Sequence, residues 1–400
     1  MQLREKIYRL RGKPFHYAWG GYDFLPALLG EKNTAHKPYA EYWMGAHPLG
    51  SSVLVTEKGE LSLHTLISED PAGMLSPAVA EKFGGLPYLF KVLDVREMLS
   101  IQVHPSKEEA EKGFAREEAE GIAPDAPHRK YKDRNHKPEV MVALSEFWLL
   151  HGFRSYEAIE RVLDDVPEFN VLLPYYRKEG IKELYRFVME MPQVDVNYML
   201  EELVKREIRR KKEGGLTREM PGWWVAKLYE GGSFPEQIDR AVFSLYLFNI
   251  VKAEPGQAVF QGAGIPHAYM EGQTMELMAN SDNVLRGGLT PKHIDVPELL
   301  RQTSFASVEP EIMTGRERMA GEKIYPCPVP DFGLARIELA AGGQYEAVSH
   351  SLEIIIVMEG GVLVNNTLVL KRGEAAALLP GAEYTIASSG YAMLFRAFVP

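Results

Sequence analysis

Residues 256–271 read GQAVFQGAGIPHAYME and set the expected architecture. The apolar run at 258–261 predicts a short strand, and a glycine-containing turn follows it. Gly264 lies in that turn, which ends just before His267. A further run at 274–277 predicts the next strand. Because a tight turn between two strands fixes the direction of the side chain that follows, we expect the His267 imidazole to point inward.

The same stretch resembles the second sequence motif of the cupin barrels, in which a glycine leads to a Pro-x-Gly turn and then to a histidine. Gly264 and His267 keep that spacing. Gly262 stands where the motif has proline, and Glu271 stands where it has asparagine. The resemblance implies a jelly-roll barrel with the histidine inside it.

The first cupin motif normally supplies two histidines in an H-x-H pair and a glutamate. Here Gln102-Val103-His104 provides the alternating pair, and side chains at i and i+2 of a strand share one face. Glu139 follows a charged insertion, in the string HKPEV. A lone strand histidine is more often simply packed, but a convergent set predicts one metal ion with four ligands: Gln102, His104, Glu139 and His267. Such ligands suit zinc with room for water or substrate, and iron, manganese or nickel accept similar ones.

Composition narrows the class of protein. The 400 residues exceed what one core usually holds, which predicts two or three domains. Apolar residues make up 46% and charged residues 25%, an ordinary globular composition. The formal net charge of −10 argues against a general nucleic-acid binder but permits a small anionic substrate. Cys327 is the single cysteine, so neither an intrachain disulfide nor a Cys-type zinc cluster can form.

The sequence suggests neither an export signal nor a membrane segment. Residues 1–10 contain four charged side chains and lack the apolar core of a signal peptide. No apolar stretch approaches the ~20 residues that cross a bilayer. We expect a cytoplasmic protein that binds neither membranes nor nucleic acid and that is a monomer or a weak oligomer.

The periodicity of the chain changes twice. Short β-like runs fill the first part, apolar residues take helical spacing from about 155 to 248, and strand-like runs then return. The helical block should hold about four to six helices. The expected fold is mainly β with a helical insertion, with two cupin-type jelly-roll barrels plus an α-helical domain. The expected domains are a catalytic cupin over 1–152 and 249–297, a helical domain over 153–248, and a C-terminal cupin-like domain over 298–400.

Two further features are given structural roles. Residues 205–212 are strongly basic, which favours the solvated face of a surface helix over a nucleic-acid contact. His350 sits where a first cupin motif would start in the C-terminal block, but no histidine follows 373–381. One histidine cannot hold a catalytic metal, so this second barrel is expected to be structural.

Six strings carry a wider resemblance, to the type I mannose-6-phosphate isomerases. They are YAWGG (17–21), YAEYWMGAHP (39–48), LPYLFKVLD (86–94), SIQVHPSK (100–107), YKDRNHKPEVMVAL (131–144) and SDNVLRGGLTPKHID (281–295). The resemblance covers the first 150 residues and residues 250–297 well, the helical block in position and character only, and the last block loosely. It implies an isomerase of mannose metabolism, part of carbohydrate metabolism, that holds one zinc per chain and interconverts mannose 6-phosphate and fructose 6-phosphate.

Carried over residue by residue, the resemblance implies roles in moving a proton between C1 and C2 through an enediol. Lys137 is a candidate for the proton transfer, and His136 and Asp282 are candidates for opening the sugar ring. Arg286 is a candidate for stabilising the enediolate, because a cation beside a developing alkoxide lowers its energy. Lysine accepts a proton only in its neutral form, so the identity of the base stays open.

Five further residues are candidate substrate contacts: Lys91, Ser106, Lys107, Glu276 and Lys292. Lys91 either points inside and binds phosphate or lies exposed on its strand. Ser106 and Lys107 open a predicted helix whose free N–H groups favour an anion, and simple capping explains them equally well. Lys292 lies either beside the sugar phosphate or in a surface loop. Glu276 either faces the site or is a structural carboxylate.

Two other functions compete with the isomerase. One is a non-catalytic sugar-phosphate-binding metal cupin, against which Lys137, Asp282 and Arg286 argue. The other is a metal cupin of another enzyme class, such as an iron dioxygenase, which would need an apolar cavity open to oxygen. The cations beside the ligands instead favour a small sugar phosphate as partner.

Overall fold

The structure describes residues 3–232 and 234–400, in which strands are the more numerous elements. In this computed structural model those residues form 23 strands, 11 α-helices and one 3₁₀ helix. The predicted class, mainly β with a helical insertion, is therefore confirmed. None of the helices in these residues has the length and apolar character needed to cross a membrane.

The bounds of the elements are as follows. The strands are β1 Ile7–Arg11, β2 Lys13–Phe15, β3 Glu41–Gly45, β4 Val53–Thr56, β5 Gly59–Ser62, β6 Tyr88–Val95, β7 Ile101–Val103, β8 Glu139–Ala143, β9 Phe147–Phe153, β10 Phe248–Ala253, β11 Ala258–Gln261, β12 His267–Ala279, β13 Leu285–Gly288, β14 Arg316–Met319, β15 Glu322–Tyr325, β16 Gly333–Leu339, β17 Gln344–Val348, β18 Glu353–Glu359, β19 Gly361–Val364, β20 Leu368–Lys371, β21 Ala375–Leu378, β22 Glu383–Ala387 and β23 Ala392–Phe398. The helices are α1 Phe24–Leu29, α2 Leu63–Glu69, α3 Pro71–Leu75, α4 Pro77–Phe83, α5 Lys107–Ala119, α6 Tyr156–Asp165, the 3₁₀ helix Pro167–Leu172, α7 Leu173–Glu190, α8 Gln193–Lys212, α9 Pro221–Tyr229, α10 Ala241–Leu247 and α11 Val296–Gln302.

A ten-stranded sheet carries the candidate ligands. Its main path runs β10-β9-β12-β6-β3-β2, and β7, β8, β11 and β13 are attached beside that path. β12 has 13 residues and pairs antiparallel with β6, β7, β8 and β9 along different parts of its length. The predicted strands at 258–261 and 274–277 correspond to β11 and to the second half of β12.

β6 is buried along its whole length. All eight of its residues are buried, which explains its near-continuous apolar sequence YLFKVLDV. Lys91 and Asp94 are the charged exceptions. Each has a polar partner, since Lys91 faces Glu276 and Asp94 accepts a hydrogen bond from Gln273. Charges on such a strand are tolerated because they are paired.

The helical insertion lies between β9 and β10 and contains α6 to α10 with the 3₁₀ helix, as the sequence predicted. Its buried apolar residues form one cluster that includes Tyr185 and Trp224. Val103 of β7 and Leu285 of β13 belong to the same cluster. The insertion is therefore packed directly against two strands of the candidate site.

The basic run at 205–212 lies on α8 and is largely neutralised by acidic neighbours. Lys205 is 2.6 Å from Glu201, and Arg206 is paired with Glu168. The prediction of a solvated helix face is confirmed.

A nine-stranded sheet combines both ends of the chain. Its order is β14-β15-β16-β23-β18-β21-β1-β4-β5, and a four-stranded sheet, β17-β22-β19-β20, lies in the same C-terminal block. The predicted division assigned residues 1–152 wholly to the catalytic part, whereas β1, β4 and β5 hydrogen-bond into the C-terminal sheet. Sequence patterns do not reveal the pairing of β1 with β21, because the two strands are separated by more than 300 residues.

None of these three sheets closes into a complete barrel within the described residues. The structure therefore supports the mainly β class, and the finer assignment as two cupin barrels remains a proposal.

The first prediction concerns β1 as the joint between the two ends of the chain. Leu10 is 2% exposed and pairs with Leu54 and Ala375. Leu10→Ala should lower the free energy of unfolding by about 2–5 kcal/mol, because it removes buried methyl groups and leaves a cavity. Val55→Ala, on the neighbouring strand at 37% exposure, should change it by less than about 1 kcal/mol. Urea unfolding of both variants measures this; equal effects would mean that β1 is not part of the core.

Candidate metal centre and active site

Three of the predicted ligands meet at one point of the ten-stranded sheet. His104 follows β7, Glu139 begins β8 and His267 begins β12. One possible ligand atom from each residue lies within 4.8 Å of the other two, and all three side chains are buried. Within residues 3–232 and 234–400, no second cluster of His, Cys, Asp or Glu side chains has this geometry.

The glycine turn predicted at 262–266 holds two of these segments together. Gly264 has φ +77°, a left-handed conformation that favours glycine. Its N–H donates to the carbonyl of His104 at 2.9 Å. The turn therefore positions His267 and also ties it to the segment that carries His104.

The carboxylate of Glu139 lies between the two imidazoles. Its Oε1 is 3.4 Å from His104 Nε2, and its Oε2 is 3.3 Å from His267 Nε2. The Nδ1 atoms lie 2.8 Å from backbone carbonyls, those of Asn283 and Ile265. Since a carbonyl only accepts, each Nδ1 carries a proton, which leaves Nε2 as the ring nitrogen that can bind a metal. This is the tautomer that a metal-binding histidine requires.

The protonation states also suit a cation. Burial lowers the pKa of His104 to about 4, and Lys137 acts in the same direction, so the imidazole is neutral. Burial opposes ionisation of Glu139, but Lys137 and His104 outweigh it and hold its pKa well below the usual range. His104 Nε2 is buried and makes no hydrogen bond. Two imidazoles and one carboxylate, with an unpartnered nitrogen on His104, fit a zinc ion.

Gln102, the fourth predicted ligand, lies beside the cluster. It pairs with His267 on one side and with Arg286 on the other. Residues directly opposite each other in antiparallel strands point to the same face. Gln102, His267 and Arg286 therefore form one row, and the role of Gln102 as a ligand stays a prediction.

One candidate catalytic residue, Arg286, belongs to this row, and another, Lys137, contacts Glu139. Lys137 is 8% exposed, and its Nζ donates to Glu139 Oε1 at 2.6 Å. Arg286 is half-buried on β13, and burial lowers its pKa. A partly desolvated guanidinium interacts strongly with negative charge that develops nearby.

Lys91 and Glu276 face inward, so the alternative of an exposed Lys91 is wrong. They are opposite each other on β6 and β12, and Lys91 Nζ is 3.0 Å from Glu276 and 3.5 Å from Glu41. The two carboxylates outweigh burial and raise the pKa of Lys91. Burial raises the pKa of Glu276 despite Lys91. This cluster carries one positive and two negative side chains.

The structure places His136 and Asp282 with different partners. His136 Nε2 is 3.0 Å from Asp331, which lies in the C-terminal block. Asp282 is 3.2 Å from His47 Nε2. Burial works against the Asp282 carboxylate, but the hydrogen bond and charge of His47 lower its pKa.

The remaining candidates lie at the surface or cap a helix. Ser106 is the N-cap of α5 and accepts a hydrogen bond from the N–H of Glu109, so the predicted helix start is confirmed. Lys107 is exposed and donates to Asn135 at 3.1 Å. Lys292 is exposed in the loop after β13. These positions agree with the structural alternatives, and an added role in anion binding stays a prediction.

Sequence reasoning missed two buried polar side chains beside the ligands. His151 on β9 is directly opposite His267, and Gln261 on β11 is directly opposite Glu139. His151 Nδ1 lies 2.7 Å from Gln261 Oε1. The available signal was a polar residue within an apolar strand sequence, FWLLHGF for His151. Their contact joins two strands that are distant in sequence, so it could not be foreseen.

His151 leads to a pH prediction. Burial lowers its pKa to about 4, so the unfolded chain takes up this proton more readily than the folded protein below pH ~6.5. The protonation of His151 should therefore lower the free energy of unfolding by about 2 kcal/mol between pH 7 and pH 5. His151→Asn should remove that part of the dependence, whereas His350→Asn, at an exposed histidine, should not. Denaturant unfolding at several pH values measures the slopes; identical slopes in all three proteins would contradict the assignment.

Comparisons with known proteins point to one family. A family model described as phosphomannose isomerase type I, catalytic domain, matches residues 7–156. Mannose-6-phosphate isomerase of Salmonella typhimurium is 38% identical over 395 residues, covering 96% of this chain and 97% of that protein. The Homo sapiens protein of the same name is 33% identical over 380 residues, covering 88% and 86%.

Solved structures agree over the whole chain. A zinc-bound mannose 6-phosphate isomerase has a TM-score of 0.85 and 35% identity, covering 99% of this chain and 100% of that one. The Salmonella typhimurium protein bound to fructose 6-phosphate and zinc has the same TM-score, identity and coverage of both chains. The chain therefore belongs to the type I phosphomannose isomerase family.

Proposed function

We propose that this protein is a zinc-dependent aldose–ketose isomerase that interconverts mannose 6-phosphate and fructose 6-phosphate. The observation that carries the proposal is the buried His104–Glu139–His267 cluster with Lys137 in direct contact. Relatives covering almost the whole chain bear the name mannose-6-phosphate isomerase, and one solved relative holds both zinc and fructose 6-phosphate. The proposed partner is therefore a small sugar phosphate.

One zinc per chain would be held by His104, Glu139 and His267, with Gln102 as the fourth ligand. When bound, zinc supplies a Lewis acid that polarises and orients sugar oxygens. The Nδ1–H groups donated to the Asn283 and Ile265 carbonyls keep both imidazoles correctly oriented.

Lys137 is the proposed proton-transfer group between C1 and C2. Its ammonium donates to Glu139, which keeps Nζ beside the ligand cluster. In the charged form it can deliver a proton to the enediol, and in the neutral form it can remove one.

Arg286 is the proposed stabiliser of the enediolate. It lies in the same row as Gln102 and His267 and is half-buried. A fixed guanidinium lowers the energy of negative charge that is present in the transition state but absent from the bound sugar.

Ring opening is assigned to His136 and Asp282. Each belongs to a histidine–carboxylate pair, with Asp331 and His47 respectively. Such pairs can donate and accept protons at the ring oxygen and at the anomeric hydroxyl.

The proposed substrate contacts are of two kinds: a buried lysine that is paired with carboxylates, and exposed cations. Lys91 is held between Glu276 and Glu41, which suits sugar hydroxyls better than a dianion. Lys107 and Lys292 are exposed cations, and Ser106 begins the 13-residue helix α5, whose N–H groups favour anions. These three are the proposed phosphate contacts.

The two β-rich parts are proposed to be cupin-type jelly rolls. The first contains β7, β8 and β12 with the ligands, and the second combines β14 to β23 with β1 from the beginning of the chain. The helical domain at 153–248 is inserted into the first. A cytoplasmic location, favoured by the single cysteine, and a monomeric or weakly oligomeric state complete the proposal.

A coupled assay with mannose 6-phosphate, with and without a chelator, tests the function. We expect turnover that the chelator abolishes and zinc restores. Zinc-loaded protein that binds the sugar phosphate without turnover would support a non-catalytic metal cupin instead.

Zinc content gives a prediction independent of turnover. The purified protein should contain about one zinc per chain, and His104→Ala and His267→Ala should each lose it, because each removes a buried nitrogen ligand. His350→Ala is the matched control and should keep zinc and activity, since His350 is exposed. Metal analysis of the three variants decides the point; full zinc in either ligand variant would refute the site.

Arg286 gives the sharpest kinetic prediction. If it stabilises only the transition state, Arg286→Ala should lower kcat ~100-fold or more while KM changes little. Arg286→Lys should recover little of this, because a point charge does not replace a planar fork.

Zinc content and circular dichroism on the same samples control for loss of the site or the fold. A main effect on KM would instead make Arg286 a phosphate anchor, and a wild-type kcat would remove it from the mechanism.

A further inference from the structure

The segment that leads into the candidate catalytic residues has no regular secondary structure of its own. Residues 120–138, all of which the structure describes, contain neither helix nor strand. His136 and Lys137 lie at the end of this segment, just before Glu139. Since the segment lacks the backbone ladder of a helix or sheet, its polar groups need partners from elsewhere in the protein. The position of Lys137 therefore depends on those partners.

Asn283, in the connection between β12 and β13, provides four of these partners with its side chain. Its Oδ1 accepts from the N–H groups of Lys132 at 2.7 Å and of Asp133 at 3.2 Å. Its Nδ2 donates to the carbonyls of Asp133 and Asn135, both at 2.8 Å. A side-chain amide has two donor hydrogens and two acceptor positions, so this one is fully used. Asn283 is also completely buried, at 0% exposure.

Asp133 makes contacts in the opposite direction. Its carboxylate accepts from the N–H of Asp282 at 2.8 Å and from the hydroxyl of Ser281 at 2.9 Å. Nδ2 of Asn283 lies 3.3 Å from the same carboxylate. The segment before β8 and the connection after β12 are therefore each held by a side chain from the other.

The backbone of Asn283 connects this arrangement to the metal centre. Its carbonyl oxygen lies 2.8 Å from Nδ1 of His104 and accepts the proton that this nitrogen carries. Lys137 follows the segment that the side chain holds, and its Nζ contacts Glu139 at 2.6 Å. Asn283 therefore contacts one metal ligand directly and holds the segment that leads to a second ligand and to the candidate proton-transfer group.

Both connections have consequences for the chemistry. The carbonyl that receives Nδ1–H orients the His104 ring, and loss of such outer partners typically costs about 10–100-fold in metal affinity or activity. A displacement of residues 132–135 would move Lys137, and a misplacement of ~1 Å can cost about 100-fold in rate.

We propose that Asn283 is a positioning residue of the metal centre and that Asp133 acts together with it. The pair sets the orientation of His104 and the location of Lys137 relative to the ligand cluster. The effect on Lys137 and turnover rests on the proposed function, whereas the effect on His104 concerns metal affinity alone.

The test is the zinc affinity of Asn283→Ala and Asp133→Ala, measured on the full chain by competition with a chromogenic chelator. Each change should weaken zinc binding about 10–100-fold. At saturating zinc, each should also lower kcat by about 10-fold or more while KM changes little, because the proposed substrate contacts stay in place. The double variant should lose little more than one single variant, since both changes disrupt the same arrangement.

Asn33→Ala is the matched control. The Asn33 side chain also donates to two carbonyls, those of Tyr22 and Lys37, and accepts from the N–H of Lys37. It should leave zinc affinity and kcat unchanged. Wild-type zinc affinity in Asn283→Ala and Asp133→Ala, fully additive losses in the double variant, or an equal loss in Asn33→Ala would each overturn the proposal.

The same measurements separate this proposal from the proposed function. A wild type that binds zinc without turnover contradicts the isomerase only, because the comparison of zinc affinities still decides the role of Asn283. Circular dichroism shows whether each variant folds. If Asn283→Ala does not fold, Asp133→Ala at its half-buried position decides: weakened zinc binding supports the proposal, and wild-type zinc affinity refutes it.

Discussion

The candidate active site depends on the register of one strand, β12. Its first residue, His267, lies opposite Gln102, while Glu276 lies opposite Lys91. Near its end, Met278 lies opposite Glu139. Because side chains alternate between the two faces of a strand, a slip of one residue would turn His267 and Glu276 away from the site together. The glycine turn before His267 and the apolar residues of β12 both resist such a slip.

Charge pairing is the second condition for this site. Lys137 stabilises the buried Glu139 carboxylate, and Lys91 lies between two further carboxylates. Desolvation would cost several kcal/mol for each ion without a partner. The same pairs keep Glu139 ionised, which metal binding requires. Stability and chemistry are therefore served by the same contacts.

The two β-rich parts differ in what balances their buried carboxylates. In the first part, two imidazoles and a carboxylate converge and fit a cation. In the C-terminal block, the guanidinium of Arg396 lies between two carboxylates and supplies the positive charge from the chain itself. His350 is exposed in this block, and the absence of a catalytic metal there stays a prediction.

The sequence by itself determined the mainly β class, the presence of a helical insertion between β-rich parts, and the convergence of His104, Glu139 and His267. These follow from local signals: strand and helix periodicity, a glycine turn before His267, and the short spacing of Gln102 and His104. Only the tertiary structure decided that β1 pairs with β21, that His151 meets Gln261, and that Arg396 bridges Glu322 and Glu353. Each of these contacts joins residues far apart in the chain. Periodicity specifies which face of a strand is buried, but only the packed fold specifies which other strand lies against it.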